Sequence, residues 1–143
     1  MLDGKQIING TFGECWVEDK YIDTVTAVEI KISREFSDIK IPRNLMPGFK
    51  EISRSGEGKV TFSHLDSMDF QLLGKAMQEG KQESVTIISK LADPNAMGEE
   101  RVVVRGCVFP ELTLANWKAA TAGEKELSFK FNDYEIINQI ERR

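Results

Sequence analysis

The chain has 143 residues, 41% apolar and 29% charged, which fits one globular domain over residues 1–143 and excludes a disordered polymer. A formal net charge of −4 argues against a dedicated nucleic-acid binder, because phosphate binding needs a concentrated Lys/Arg field, and leaves room only for a local basic patch. The two cysteines, Cys15 and Cys107, sit inside apolar runs and lack disulfide-framework or zinc-ligand spacing, so both read as small core residues.

In chain order the dominant signal is short strands. Residues 12–17 are apolar and aromatic, and Glu18-Asp19-Lys20 offers a turn before Tyr21 and Ile22. Glycine after the aspartate would suit a tight hairpin better than lysine does. Val28, Ile30 and Ile32 alternate with Glu29, Lys31 and Ser33, the period-two pattern of a half-buried strand that extends over residues 25–41. Residues 42–50 (PRNLMPGFK) hold two prolines and a glycine and read as a loop. A second long strand follows over residues 50–62, with Gly56 and Gly58 marking a bulge or a close backbone approach.

One helix is expected next. Asp66 caps it, Asp69 supports its positive end, Gly80 ends it, and Leu65, Met68, Leu72, Leu73, Ala76 and Met77 form its apolar stripe. Strands are then expected at residues 84–91, 101–109, 112–117 and 126–134, with a turn at residues 93–98. In the last strand Leu127, Phe129 and Phe131 alternate strictly with Ser128, Lys130 and Asn132. Many strands with one helix predict a mainly β protein, an antiparallel β-sandwich or barrel with one packed α-helix.

No catalytic pattern emerges. His64 is the one histidine and precedes the expected helix, so it reads as a surface or capping residue. Gly56-Glu57-Gly58 lacks the remaining elements of a phosphate loop. Asp93, Asn95, Glu99 and Glu100 depart from calcium-loop spacing, and Glu18/Asp19 and Glu99/Glu100 are sequence neighbours that would point to opposite strand faces. We therefore expect no enzyme, no cofactor and no metal. The first residues lack the basic and apolar regions of a signal peptide, and no stretch reaches the roughly 20 apolar residues of a membrane span, so folding in a reducing cytoplasm is expected.

Three stretches, taken in order, resemble a known family. They are residues 8–17 (INGTFGECWV), residues 56–62 (GEGKVTF) leading into the expected helix, and a third set running from residues 89–94 (SKLADP) through 98–101 (GEER), 109–117 (FPELTLANW), 123–124 and 129–134 (FKFNDY). The set is similar to the tail-tube proteins of PBSX-like defective phages and of contractile bacteriocins from Gram-positive hosts, and it covers nearly the whole chain. The resemblance implies hexameric rings stacked into a tube inside a contractile sheath, with tape-measure and baseplate proteins as further partners. It also implies DNA or ions passing through the lumen without specific binding, a place in a virion tail or bacteriocin particle, and assembly in the bacterial host cytoplasm. If each of six subunits gave four strands, about 24 strands at ~4.8 Å spacing and ~40° tilt would close at a backbone diameter of roughly 48 Å.

On that reading the long strands are lumen-lining hairpins. Val28, Ile30, Ile32, Val60 and Phe62 are expected to face the core, and Glu29, Lys31, Ser33, Lys59 and Thr61 the channel or a neighbouring subunit. Leu45, Met46 and Phe49 in the 42–50 loop suit contact between rings, as do the arm 1–10 and the tail 135–143. Two alternatives are a tube protein of another contractile injection machine and a monomeric β-sandwich binding module.

Overall fold

The computed structural model describes residues 3–65, 67, 78–80 and 84–141. Two short 3-10 turns, Gly4–Gln6 and Gly10–Phe12, lead into eight strands: β1 (Gly13–Val17), β2 (Lys20–Tyr21), β3 (Val25–Ile39), β4 (Gly48–Ser63), β5 (Val85–Leu91), β6 (Glu100–Cys107), β7 (Glu124–Phe131) and β8 (Asp133–Asn138). They form a five-stranded sheet in the order β2-β1-β5-β6-β8 and a three-stranded sheet in the order β3-β4-β7. All the pairings are antiparallel. The mainly β, antiparallel sandwich expected from the alternation is therefore present.

The core lies between the two sheets. Cys15, Val17, Ile87, Val104 and Cys107 come from the larger sheet, and Val60, Phe62, Leu127, Phe129 and Phe131 from the smaller. Strict alternation in β7 turns Leu127, Phe129 and Phe131 inward and leaves Glu126, Ser128 and Lys130 exposed. The register puts Gly58 opposite Phe129 and Gly56 opposite Phe131. A Cβ on Gly58 would lie 2.6 Å from both the Phe129 ring and the Glu29 carbonyl oxygen, so this position requires glycine. The two glycines let the aromatic rings of β7 lie directly on the β4 backbone.

The β1–β2 hairpin closes without glycine. Glu18 (φ 50°) and Asp19 (φ 65°) are both left-handed, which is the two-residue turn matching strand twist. The strain at Glu18 is offset locally: its backbone N–H donates to the Thr86 carbonyl (3.0 Å), and its carboxylate accepts from the Thr86 N–H (2.8 Å). Burial of Asp93 fixes the N-terminal arm in a comparable way. One carboxylate oxygen accepts from the Asn9 N–H (3.1 Å) and the other from the Asn95 N–H (2.9 Å).

Several expectations need correction. Residues 112–117 form no strand; Leu112 packs on the core, while Leu114 and Trp117 project into solvent. The alternation Leu-Thr-Leu suggested a strand, but among the described residues no ladder partner receives it. The last expected strand, residues 126–134, is instead two strands, and residues 133–138 are β8, which pairs with β6. The chain changes sheets at Asn132, where β7 leaves β4. Ile32 is 38% exposed instead of core, since the sandwich ends near it, and Leu65 is exposed. The rest of the expected helix, Asp66 and residues 68–77, lies outside the described residues.

Candidate assembly surface

The sandwich ends before the long hairpin does. β7 covers β4 only from Gly56 to Ser63, whereas β3 and β4 stay paired out to Ile39 and Gly48. Among the described residues, 33–55 is thus a two-stranded ribbon with a loop at its tip, and β3 is paired along one edge only. An isolated two-stranded ribbon is marginal in water, and a long unpaired edge invites pairing with another chain.

The ribbon also exposes what a soluble hairpin normally hides. Phe36, Ile39, Ile41, Met46 and Ile52 are solvent-exposed, Phe49 is 70% exposed and Leu45 wholly so. Polar contacts brace the ribbon without covering these side chains. The Arg34 guanidinium lies 5.1 Å from the Phe36 ring centre, and the Ser53 hydroxyl donates to Glu35 (3.1 Å). Arg34 sits opposite Arg54, and Arg54 pairs with Glu51. The hydrogen bond from Arg54 holds the Glu51 carboxyl below its ordinary range.

One face of the three-stranded sheet carries a grid of alternating charge. Cross-strand register sets Glu29 against Lys59, Lys31 against Glu57, and Glu57 against Lys130. Directly opposed residues share a face, so the grid is a single surface. Lys31 lies 3.4 Å from Glu57 and 3.9 Å from Glu29, and Lys59 lies 3.8 Å from Glu126. Every one of these pairs is exposed, so each contributes only ~0.2–1 kcal/mol. The sequence-derived candidates Glu29, Lys31, Ser33, Lys59 and Thr61 fall on this face, and Thr61 is partly covered. Glu57, Glu126, Ser128 and Lys130 belong with them; the alternation of β7 was the signal for the last three.

A shallow cavity of about 210 Å³ lies over this grid, lined in part by Glu29, Lys31, Glu57, Lys59 and Lys130. Its lining mixes two glutamates with three lysines. No group of three or more metal-ligating side chains occurs among the described residues. No described helix is long and apolar enough to cross a membrane. Leu45, Met46 and Phe49 lie together at the ribbon tip, at the opposite end of the hairpin from the β3 start and the Glu124 end of β7.

The cysteines play no part in this surface. Burial pushes the Cys15 thiol up to about 11 and the Cys107 thiol up to about 12. Neither is a nucleophile at neutral pH.

A family model described as phage tail tube protein matches residues 1–138. The phage-like element PBSX protein XkdM of Bacillus subtilis (strain 168) is 23% identical over 141 residues, covering 97% of this chain and 96% of that protein. A chain in the tube-terminating cap of the anti-feeding prophage shares the fold with a TM-score of 0.76 at 10% identity, covering 97% of this chain and 96% of that one. A chain from the PVC extracellular contractile injection system, in its extended sheath–tube complex, gives a TM-score of 0.71 at 13% identity over 95% and 98% of the two chains.

Proposed function

We propose that this chain, which belongs to the phage tail tube protein family and is a structural component of a tail and not an enzyme, closes into hexameric rings that stack into a tube. The observation that carries this reading is the ribbon at residues 33–55, with one edge of β3 unpaired among the described residues and Phe36, Leu45, Met46 and Phe49 exposed. Pairing of that edge with a neighbouring copy satisfies the free backbone groups and removes the sheet edge. The number six is the one the family resemblance implies.

The three-stranded sheet supplies three strands per copy, to which Val108 adds a single bridge at Lys130. Six copies at ~4.8 Å spacing and ~40° tilt close at a backbone diameter of roughly 36 Å. The charge grid of Glu29, Lys31, Glu57 and Lys59 lines the channel in this reading. Because Glu and Lys balance there, no positive field holds phosphates, and DNA or ions pass without specific binding. A sheath surrounds the tube, tape-measure and baseplate proteins meet it at assembly, and assembly takes place in the host cytoplasm.

Negative-stain microscopy of the purified protein tests this directly. Rings or tubes are expected from the intact chain, and a folded monomer without tubes from a chain lacking residues 42–50. Normal tube growth by that deletion variant, or a binding module that stays monomeric at high concentration, contradicts the reading.

A further inference from the structure

The long hairpin has two ends with opposite chemistry. At the tip, residues 40–50 carry Lys40, Arg43 and Lys50 with no carboxylate, around the exposed Leu45, Met46 and Phe49. At the other end, where Val25 pairs with Phe62 and Ser63 with Glu124, β7 begins with Glu124 and Glu126. A cavity of about 220 Å³ opens there, lined by Glu124, Lys125, Glu126, Thr61, Thr113 and Asn116. The same loop holds Leu114 and Trp117 in solvent, Trp117 being 83% exposed. Lys118 is a cation beside them, and Lys125 points inward and is buried. A tryptophan so exposed beside a polar cavity is the residue type that anchors protein interfaces.

From Val25 to Ile39, β3 spans roughly 46 Å at the usual strand rise, so one copy cannot bring its own tip to its own base. We infer that the tip of one copy docks on the base of the next: Leu45, Met46 and Phe49 cover Leu114 and Trp117, while Arg43 and Lys50 face Glu124, Glu126 being already paired with Lys59. This rests on the tube reading above and names the receiving surface for the ribbon. Both parts complement each other, apolar against apolar and cation against carboxylate, and the occupant is a second copy of this chain. Two different patches in contact make a heterologous interface, which propagates as an open, polar stack and does not close as a dimer. At ~40° tilt the strand length sets an axial repeat of roughly 35 Å.

Charge exchange tests it. Glu124→Lys and Arg43→Glu, made separately, are expected to leave the melting profile unchanged and rings intact. Each should raise the critical concentration for stacking about tenfold, as loss of a few partly exposed ion pairs implies. The chain carrying both substitutions should recover most of that loss. Trp117 emission should shift to the blue when wild-type rings stack and stay unshifted in either single variant. Wild-type tubes accompanied by single variants that stack equally well, or a combined variant no better than its parents, overturn the docking while leaving the tube reading in place. A wild type that never multimerises overturns the tube reading, and the docking with it.

Discussion

Between Val25 and Ile32, β3 lies over a sandwich in which β7 supplies a third strand and the five-stranded sheet supplies a lid. From Ser33 to Ile39 the same strand keeps its pairing with β4 but has neither. The apolar residues of the first half, Val28 and Ile30, pack on the core, whereas Phe36 and Ile39 in the second half face water. The difference shows that a period-two apolar pattern reports that a strand will be covered and does not say by what. In one half the covering surface is intramolecular; in the other, no described residue of this chain supplies it.

Three experiments break or sharpen that contrast. The largest effect is expected from truncating matched aromatics in the two halves. Phe62 is fully buried, and Phe62→Ala should cost about 3–5 kcal/mol in denaturant unfolding. Phe49→Ala should change monomer stability by no more than ~0.5 kcal/mol, yet prevent ring stacking in microscopy. Equal destabilisation by both variants would erase the distinction.

Next comes the contact that closes the covered half. Gly58→Ala drives a methyl group against the Phe129 ring and the Glu29 carbonyl, and should cost ~1–3 kcal/mol. Gly48→Ala in the ribbon would press only on the movable Ile41 side chain, with the Ile39 carbonyl oxygen at an ordinary 3.7 Å, and should cost less than that. Thermal melts of the two variants side by side give the comparison.

The smallest effect at working pH comes from the buried thiols. Cys15 and Cys107 ionise near 9 when unfolded and near 11 and 12 when folded, because burial disfavours the thiolate. The folded state therefore holds its protons more tightly. The stability this represents is fully present below about 9 and is lost as pH rises from there toward the folded values. Unfolding free energy should be flat between pH 6 and 8 as far as these groups are concerned, then fall above 9. Replacing both cysteines by alanine should flatten that alkaline limb.

Much of the architecture was legible because alternation in β3, β4 and β7 is strong and the glycines of β4 mark real close approaches. β8 was not legible: Tyr134-Glu135-Ile136-Ile137-Asn138 does not alternate cleanly, and its identity depends on the sheet change at Asn132. Residues 112–117 mislead for the converse reason, since Leu112 is held by the core while Leu114 is not. At the ribbon tip, the exposure of Leu45, Met46 and Phe49 could be foreseen because proline and glycine bracket apolar side chains that a loop cannot bury. Glu57 shares a strand face with Lys59 by alternation, but its place between Lys31 and Lys130 follows only from the register across three strands. The juxtaposition of Trp117 with the start of β7 is invisible in sequence, since it joins a loop to a strand.

The most direct measurement is amide hydrogen exchange along β3, taken on dilute monomer and on assembled material. The N–H groups of Val25–Ile39 that do not bond to β4 should exchange freely in the monomer and become strongly protected on assembly, as a neighbouring strand pairs with them. Unchanged, rapid exchange at those amides in assembled particles would contradict the claim that the protein completes its sheet with a second copy of itself.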